Sequence, residues 1–166
     1  MMVAGPPKGG IEMPFETVHE GWSVYKVNDG AQIKMRLIML KMYITGLDQS
    51  GNLEVGAASR LLFAVTVPPK LKGAPSKGPI TPKEIQETII QGDMSFKPVN
   101  EEWNEYKIDG VSVSVKVIAT IISKSSKFDA NGDPVYNVQN QPIVKVSGTP
   151  EAKRKLLKTV KRIPKR

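Results

Sequence analysis

The chain has 166 residues, of which 40% are hydrophobic and 24% are charged, and it contains no cysteine. This composition is that of an ordinary folded protein, and the missing thiols exclude disulfides, thiolate metal sites and cysteine catalysis. The formal net charge of +8 is concentrated at one end, because the last sixteen residues hold eight Lys or Arg against one acid, Glu151. The sequence therefore describes a nearly neutral body with a cationic C-terminal segment.

The sequence contains no segment that is expected to enter a membrane. Its longest apolar-rich run, residues 37–44, includes Lys41 and is far shorter than the roughly 20 apolar residues that span a bilayer. The N-terminal residues lack the apolar core of a signal peptide. We therefore expect a cytoplasmic protein with no membrane partner.

Strand signals dominate the first half of the chain. Residues 1–14 are rich in Gly and Pro and are expected to form a flexible arm. Alternating apolar residues and turn residues then predict three antiparallel strands in a meander. The predicted strands are 15–27, 31–45 and 53–67, joined by turns at Asn28-Asp29-Gly30 and Asp48-Gln-Ser-Gly51-Asn52.

A linker and a short helix are expected after the meander. The linker, residues 68–80, is rich in Lys, Gly and Pro. Thr81 can cap a helix, Pro82 suits its first position and Glu84 can complete a capping box. We predict a helix over residues 82–91 that stops at Gly92.

The remainder of the chain repeats this plan. A constant offset of 81 residues relates two sets of matching positions: Phe15, Val18, Glu20, Trp22, Tyr25 and Lys26 in the first, and Phe96, Val99, Glu101, Trp103, Tyr106 and Lys107 in the second. Further strands are expected at 111–124 and 135–146, and one-residue differences fall in turns, where a duplicated fold tolerates them. The repeat indicates an internal duplication.

An amphipathic helix is predicted at the C-terminus. Thr149 and Pro150 repeat the Thr-Pro start of the first helix. At about 100° per residue, the apolar positions fall on one arc and the cations on the other. The apolar arc contains Ala152, Leu156, Leu157, Val160 and Ile163, and the cationic arc contains Arg154, Lys155, Lys158, Lys161 and Arg162, followed by Lys165 and Arg166.

These elements predict an α+β fold. We expect two three-stranded antiparallel meanders, each followed by a helix, to pack as one six-stranded sandwich or barrel-like body. The first repeat covers residues 15–92 and the second covers residues 93–166. Neither half is expected to bury enough apolar surface to be stable on its own, so we expect the two halves to form one compact unit.

The residues that suggest chemistry have simpler structural explanations. A lone His19 without a nucleophile motif does not indicate catalysis. The acidic group at Glu101, Glu102 and Glu105 is expected to be a solvated strand face. The segment 129–133 begins like a calcium loop, but Asn140 lies where such a loop needs a bidentate Glu. We therefore predict a four-residue hairpin turn there, with a left-handed glycine, as in the Asp48 segment. We expect no enzyme activity, no cofactor and no metal site.

The paired aromatic residues allow two interpretations. Trp and Tyr at positions i and i+3 of a strand point to opposite faces, so Trp22 and Tyr25 cannot form one flat stacking platform. The same holds for Trp103 and Tyr106. Packing in the core or between the halves is the expected role, with base or sugar stacking as the alternative.

The cationic helix carries the functional prediction. Arg154, Lys155, Lys158, Lys161, Arg162, Lys165 and Arg166 are the predicted nucleic-acid-binding residues. They would contact nucleic acid or a ribonucleoprotein through phosphates, largely without sequence preference. The alternative is a structural subunit, in a homo-oligomer or larger assembly, that contacts protein neighbours through strand edges, the N-terminal arm and the basic helix.

Overall fold

A computed structural model describes residues 9–162, with side chains described for residues 9–160. This part of the chain is mostly antiparallel β structure with two α-helices, of the α+β kind expected. The first elements are the strands β1 (Ile11–Met13), β2 (Glu16–His19), β3 (Ser23–Val27), β4 (Gln32–Leu47) and β5 (Leu53–Thr66). They are followed by α1 (Pro82–Glu87), β6 (Ile89–Gln91), β7 (Phe96–Asn100), β8 (Trp103–Ile108), β9 (Val111–Phe128), β10 (Pro134–Ser147) and α2 (Pro150–Arg162).

The first sheet is built around the long strand β4. One edge of β4 pairs along its whole length with β5. The other edge pairs first with β3 and then, near its end, with β1. The outer neighbour of β3 is β7, so the first sheet has five strands.

The second sheet has the same arrangement around β9. One edge of β9 pairs with β10, and the other pairs first with β8 and then with β6. The outer neighbour of β8 is β2, which completes five strands. Each sheet therefore contains one strand from the other half of the chain: β2 lies in the second sheet and β7 lies in the first.

The predicted count of six strands is wrong, since residues 9–162 contain ten. Residues 15–27 do not form one strand, because β2 and β3 belong to different sheets. The chain crosses between them at Gly21, whose N–H donates to Asn104 Oδ1 at 3.1 Å. A Cβ on Gly21 would lie 3.0 Å from the Glu102 side chain, so glycine permits the close crossing.

One buried cluster draws on both sheets. It contains Met35, Leu37 and Ile44 from β4, together with Tyr106, Ile108 and Val113 from β8 and β9, and it also includes two residues of α2. A smaller cluster lies around Ile33 and Ile122. Burying these side chains is the main stabilising contribution available to a cysteine-free chain of this size.

The short helix ends earlier than predicted. Its cap is confirmed, because Glu84 N–H donates to Thr81 Oγ1 at 3.1 Å. The helix stops at Glu87, and Ile89 pairs with Ser125 at the start of β6. The β-branched run Thr88-Ile89-Ile90 favours the extended conformation once β9 offers a pairing edge.

The residues between β5 and α1 lie against a turn of the second sheet. Pro69–Leu71 forms a 3-10 turn. Gly73 N–H donates to the Gly132 carbonyl at 2.9 Å, and Ser76 N–H donates to the Asp129 carbonyl at 3.0 Å. Lys72 Nζ lies 2.7 Å from Asp133 Oδ1. These contacts fix the predicted linker to the β9–β10 connection.

The two predicted Asp-x-x-Gly turns have the same geometry. Asp48 Oδ1 accepts the N–H groups two and four residues on at 2.8 and 2.9 Å. Asp129 Oδ1 does the same at 2.8 and 3.0 Å. Gly51 and Gly132 have φ of +81° and +80°, in the left-handed region where glycine is favoured. The prediction of tight turns is confirmed.

The part of the predicted N-terminal arm that the structure describes contains a strand. Ile11–Met13 pairs with residues 42–44 of β4, and Met13 is buried. Residues 1–8 lie outside the described part of the chain.

Candidate nucleic-acid interface

Helix α2 is attached to the body by its apolar face. Leu156 is 1% exposed and Val160 is 7% exposed, and both belong to the main buried cluster. Ala152 and Leu157 pack against the same cluster. Thr149 Oγ1 accepts the Ala152 N–H at 3.1 Å, as expected for the predicted cap. Four of the five residues of the predicted apolar arc thus pack against the body, and the fifth, Ile163, lies outside the described residues.

The opposite face of α2 presents cations to solvent. Arg154, Lys155 and Lys158 are exposed, and no ion pair between described side chains involves any of them. Lys161 and Arg162 lie in the last turn of the helix, but their side chains are outside the described set, as are residues Lys165 and Arg166 altogether. The structure therefore places three of the seven predicted binding residues on one exposed surface.

A second group of cations lies on the outer face of the first sheet. Alternation along β4 buries Ile33, Met35 and Leu37 and turns the residues between them outward. Along residues 32–38 of β4 and the residues of β3, β5 and β7 that lie beside them, the outward side chains include five cations and no acid. We call this surface the first-sheet cationic face, formed by Lys26, Lys34, Arg36, Arg60 and Lys97.

The cations of this face lie on adjacent strands without neutralising partners. Lys26 is directly opposite Lys97 on β7. Arg36 is opposite Leu62, and Arg60 is opposite Ile38. None of the five takes part in an ion pair with a described acid. The next outward cation, Lys41, differs, because Glu12 lies 3.2 Å from its Nζ.

An aromatic side chain and a groove lie within the same surface. Trp22 is half-buried, and Lys34 Nζ lies 5.2 Å from its ring centroid. A groove of about 570 Å³ opens beside the Lys26–Lys97 pair. Its apolar lining includes Phe96 and Val99. The face therefore combines positive charge with a half-buried aromatic ring and the exposed apolar side chain of Val99.

The outer face of the second sheet has mixed charge. Lys107 pairs in register with Glu16, while Glu105 and Lys145 both lie opposite Ser114. Ser114 Oγ donates to Glu105 Oε1 at 3.0 Å. Trp103 has two lysines over its ring, Lys116 at 5.4 Å and Lys145 at 5.0 Å from the centroid.

The paired tyrosines point inward and join the two sheets. Tyr25 O–H donates to Glu101 Oε2 at 2.9 Å and accepts the Ala119 N–H at 3.1 Å. In the other half, Tyr106 O–H donates to Glu20 Oε1 at 2.9 Å. Each tyrosine is thus held by a carboxylate from the opposite half. The expected packing role is confirmed for the tyrosines, whereas the tryptophans lie on the outer faces.

Burial changes the acidity of these hydroxyl groups. It raises the pKa of Tyr25 to about 12; the Ala119 N–H opposes that rise and the Glu101 carboxylate adds to it. Burial also raises the pKa of Tyr106 well above its usual value, and the Glu20 carboxylate acts in the same direction. Both hydroxyls therefore remain protonated donors at neutral pH and are not poised for acid–base catalysis.

A separate polar group joins the first hairpin to the second sheet. Asp29 accepts hydrogen bonds from Tyr136 O–H at 2.6 Å and from Lys124 Nζ at 3.1 Å. Burial acts to raise the pKa of Asp29, but the bonds from Tyr136, the Ala31 N–H and Lys124 outweigh it and lower that pKa. Burial raises the pKa of Tyr136, and Asp29 adds to the rise.

The other candidates from the sequence form structural contacts. His19 is exposed, with its Nε2 3.4 Å from Glu102 Oε2. Asn100 Nδ2 donates to the other Glu102 oxygen at 3.1 Å, and the Asn100 and His19 contacts lower the pKa of Glu102. Within the described residues, no group of three or more His, Asp or Glu is placed to hold a metal ion.

Sequence reasoning missed the first-sheet cationic face. The sequence indicates only one part of this face, because Lys34 and Arg36 alternate with apolar residues along β4. Arg60 lies on the neighbouring strand β5 of the predicted meander, whereas Lys97 reaches the face only because β7 pairs with the distant strand β3. A nearly balanced charge over residues 1–150 concealed the group, because the compensating acids lie elsewhere on the body.

Comparisons with family models, curated proteins and solved structures found no match to this chain. Neither helix of the described residues has the length and apolar character needed to cross a membrane. The functional proposal therefore depends on the geometry and charge of this chain alone.

Proposed function

We propose that this protein is a non-enzymatic binding protein whose helix α2 contacts nucleic acid or a ribonucleoprotein through phosphates. One observation carries the proposal: α2 is fixed by Leu156 and Val160, while Arg154, Lys155 and Lys158 face solvent without an acidic partner among the described side chains. A helix used only for packing needs no such concentration of unpaired cations.

The proposed contact is electrostatic and independent of base sequence. Successive cations on α2 are spaced by the helix rise of about 1.5 Å per residue, so the helix can follow several phosphates of one backbone. Lys161, Arg162, Lys165 and Arg166 would extend the same contact. Each neutralised phosphate contributes about −0.9 to the slope of log affinity against log salt for duplex DNA and about −0.7 for single strands.

A salt titration with a matched pair of variants tests the proposal. Replacing Arg154, Lys155 and Lys158 by Gln removes three charges from α2 and should weaken RNA and DNA binding and reduce the salt slope by about 2 to 3. Replacing Lys70, Lys77 and Lys127 by Gln removes three exposed cations elsewhere and should change binding little. Equal losses in the two variants would overturn the role of α2. Deleting α2 is a poorer test, because it would uncover the core around Leu156.

A structural or assembly subunit is the second candidate, and the strand edges favour it. Within the described residues, β5 and β10 each pair on one side only. Leu62 and Phe63 on β5 are 46% and 47% exposed. Long edges with exposed apolar residues can pair with another chain. Light scattering that finds a large oligomer free of nucleic acid, dispersed by Phe63→Lys, would support this candidate against the first.

We also propose that the two halves are copies of one plan and that their sheets form a sandwich. Support comes from the reciprocal Tyr25–Glu101 and Tyr106–Glu20 hydrogen bonds, from the equivalent sheet arrangements, and from a buried cluster shared by both sheets. We also propose a cytoplasmic location, which fluorescence microscopy of the tagged full chain tests.

A further inference from the structure

We propose that the first-sheet cationic face is a second binding surface, separate from α2, that takes single-stranded nucleic acid. Lys26, Lys34, Arg36, Arg60 and Lys97 contact the phosphates. A base stacks on Trp22 in the place of the Lys34 ammonium, which moves from the ring to a phosphate. This inference goes beyond the proposed role of α2 and does not depend on it, because it uses different residues on a different element.

The dimensions and charge of the face suit a polyanion. The cations occupy four adjacent strands at about 4.8 Å spacing, and their positions along β4 extend over about 20 Å at 3.4 Å per residue. A surface of this size, with five cations and no acid among the outward residues of its paired strands, is complementary to a chain of phosphates. Lys26 and Lys97 lie directly opposite each other, and that repulsion is relieved when an anion lies between or above them.

The chemistry favours nucleic acid over an acidic protein. Protein interfaces are depleted in lysine, whereas three of the five cations here are lysines. Phosphate contacts are commonly made by Lys and Arg together. An acidic protein partner would also leave the half-buried Trp22 ring without a specific role.

Trp22 favours a single strand over a duplex. In a duplex the faces of the bases are covered by their neighbours, but an unpaired base can leave the stack and lie on an aromatic ring. Trp22 lies beside the cations, with Lys34 over its ring. The nearby groove of about 570 Å³ gives a second base space close to the Lys26–Lys97 pair.

The second sheet provides a control that matches the charge change. Lys26→Gln/Lys34→Gln/Lys97→Gln removes three lysines from the first-sheet face. Lys107→Gln/Lys116→Gln/Lys145→Gln removes three from the second, including the two over Trp103. Both variants lose the same net charge, so any difference in their binding affinity shows that the location of the lysines matters. Thermal unfolding followed by circular dichroism verifies that both remain folded.

The test measures binding of a labelled 15-nucleotide oligothymidylate by fluorescence anisotropy at several salt concentrations. The first variant should bind roughly 100-fold more weakly at 0.1 M salt, with a salt slope reduced by about 2, as expected for three lost phosphate contacts. The control should change affinity by less than about threefold. Equal weakening of the two variants, or binding unchanged in both, would overturn the proposal.

The two tryptophans give an independent readout, because the chain has only Trp22 and Trp103. With Trp103→Phe, the remaining Trp22 emission should be quenched when the oligonucleotide binds. With Trp22→Phe, the Trp103 emission should stay nearly constant. Quenching of Trp103 with unchanged Trp22 emission would contradict the assignment.

Binding measurements with further variants and competitors distinguish this inference from the proposed function. If the Arg154/Lys155/Lys158 variant loses binding while the first-sheet variant matches its control, α2 is the binding element and this inference fails. If the first-sheet variant alone loses binding, the inference stands and the role of α2 fails. Duplex DNA bound as tightly as the single strand, or polyglutamate competing as well as oligothymidylate, would contradict the proposed ligand.

Discussion

On the first sheet Lys34 lies over Trp22, and on the second sheet Lys116 lies over Trp103, at 5.2 and 5.4 Å from the ring centroids. Around these similar contacts the two outer faces differ. The first carries five cations and no acid, whereas the second alternates lysines with Glu16 and Glu105. The same strand plan thus supports two surfaces with different electrostatic properties.

The interior shows the opposite behaviour. Tyr25 with Glu101, and Tyr106 with Glu20, make the same hydrogen bond at the same 2.9 Å distance. These two Tyr–Glu pairs, which join the sheets, are therefore alike in both halves, while the residues of the two outer faces differ. The matched contacts thus lie in the interior, where they stabilise the fold, and the differences in charge lie on the outer faces.

The largest expected effect comes from removing a tyrosine from the matched interior. Tyr25→Ala and Tyr106→Ala should each lower the free energy of unfolding by about 4 kcal/mol, the range seen when a buried aromatic residue becomes Ala. Urea unfolding followed by circular dichroism measures both. If one substitution cost several times more than the other, the two halves would not support the body equally.

A smaller effect is expected where the halves differ inside. Asp29→Asn should cost about 2 kcal/mol at neutral pH, because it weakens the charged contacts with Lys124 and Tyr136. The control is Asp109→Asn in the equivalent turn, where φ is +44° and Asn is tolerated.

The pH dependence of this variant follows from the lowered pKa of Asp29. The stabilisation by the Asp29 carboxylate is fully present above the pKa of about 3.9 that an Asp has in the unfolded chain. It is lost as the pH falls through the lower pKa of Asp29 in the folded protein. The difference in unfolding free energy between wild type and Asp29→Asn should therefore shrink in acid. A difference that stayed constant down to pH 2 would show that the carboxylate charge is not involved.

The smallest expected effect on stability comes from replacing lysines on the outer faces. The change in the free energy of unfolding should have opposite signs for the two sheets. Lys26→Gln/Lys97→Gln, which leaves Lys34 over Trp22, should change stability by at most about 0.5 kcal/mol, in the stabilising direction, because it relieves the Lys26–Lys97 repulsion. The second-sheet triple should be slightly destabilising, since it removes attraction to Glu16 and the lysines over Trp103. Urea unfolding at low salt measures both changes in the free energy of unfolding. If both changes had the same sign, the two outer faces would not differ in their electrostatic contribution to stability.

Local features of the chain could be predicted from sequence because they depend on neighbours. The Asp48 and Asp129 turns, the Thr81 and Thr149 caps, and the packing side of α2 follow from residue type and spacing. The opposite directions of Trp22 and Tyr25 follow from strand geometry.

Long-range features could not be predicted, because periodicity does not identify which strands pair. The placement of β2 and β7 in opposite sheets, and the early end of α1 at Glu87, depend on partners far along the chain. The first-sheet cationic face was missed for this reason, since Lys97 joins Lys26 only after β7 pairs with β3.

The exchange of β2 and β7 between the sheets constrains the order of events during synthesis. The N-terminal half emerges from the ribosome first, but the open edge of β3 has to wait for Phe96–Asn100. The strand β2, made early, has no partner until Trp103–Ile108 follows. A nascent chain that stops before residue 96 thus leaves two strand edges open, and completion of both sheets becomes one late, concerted step.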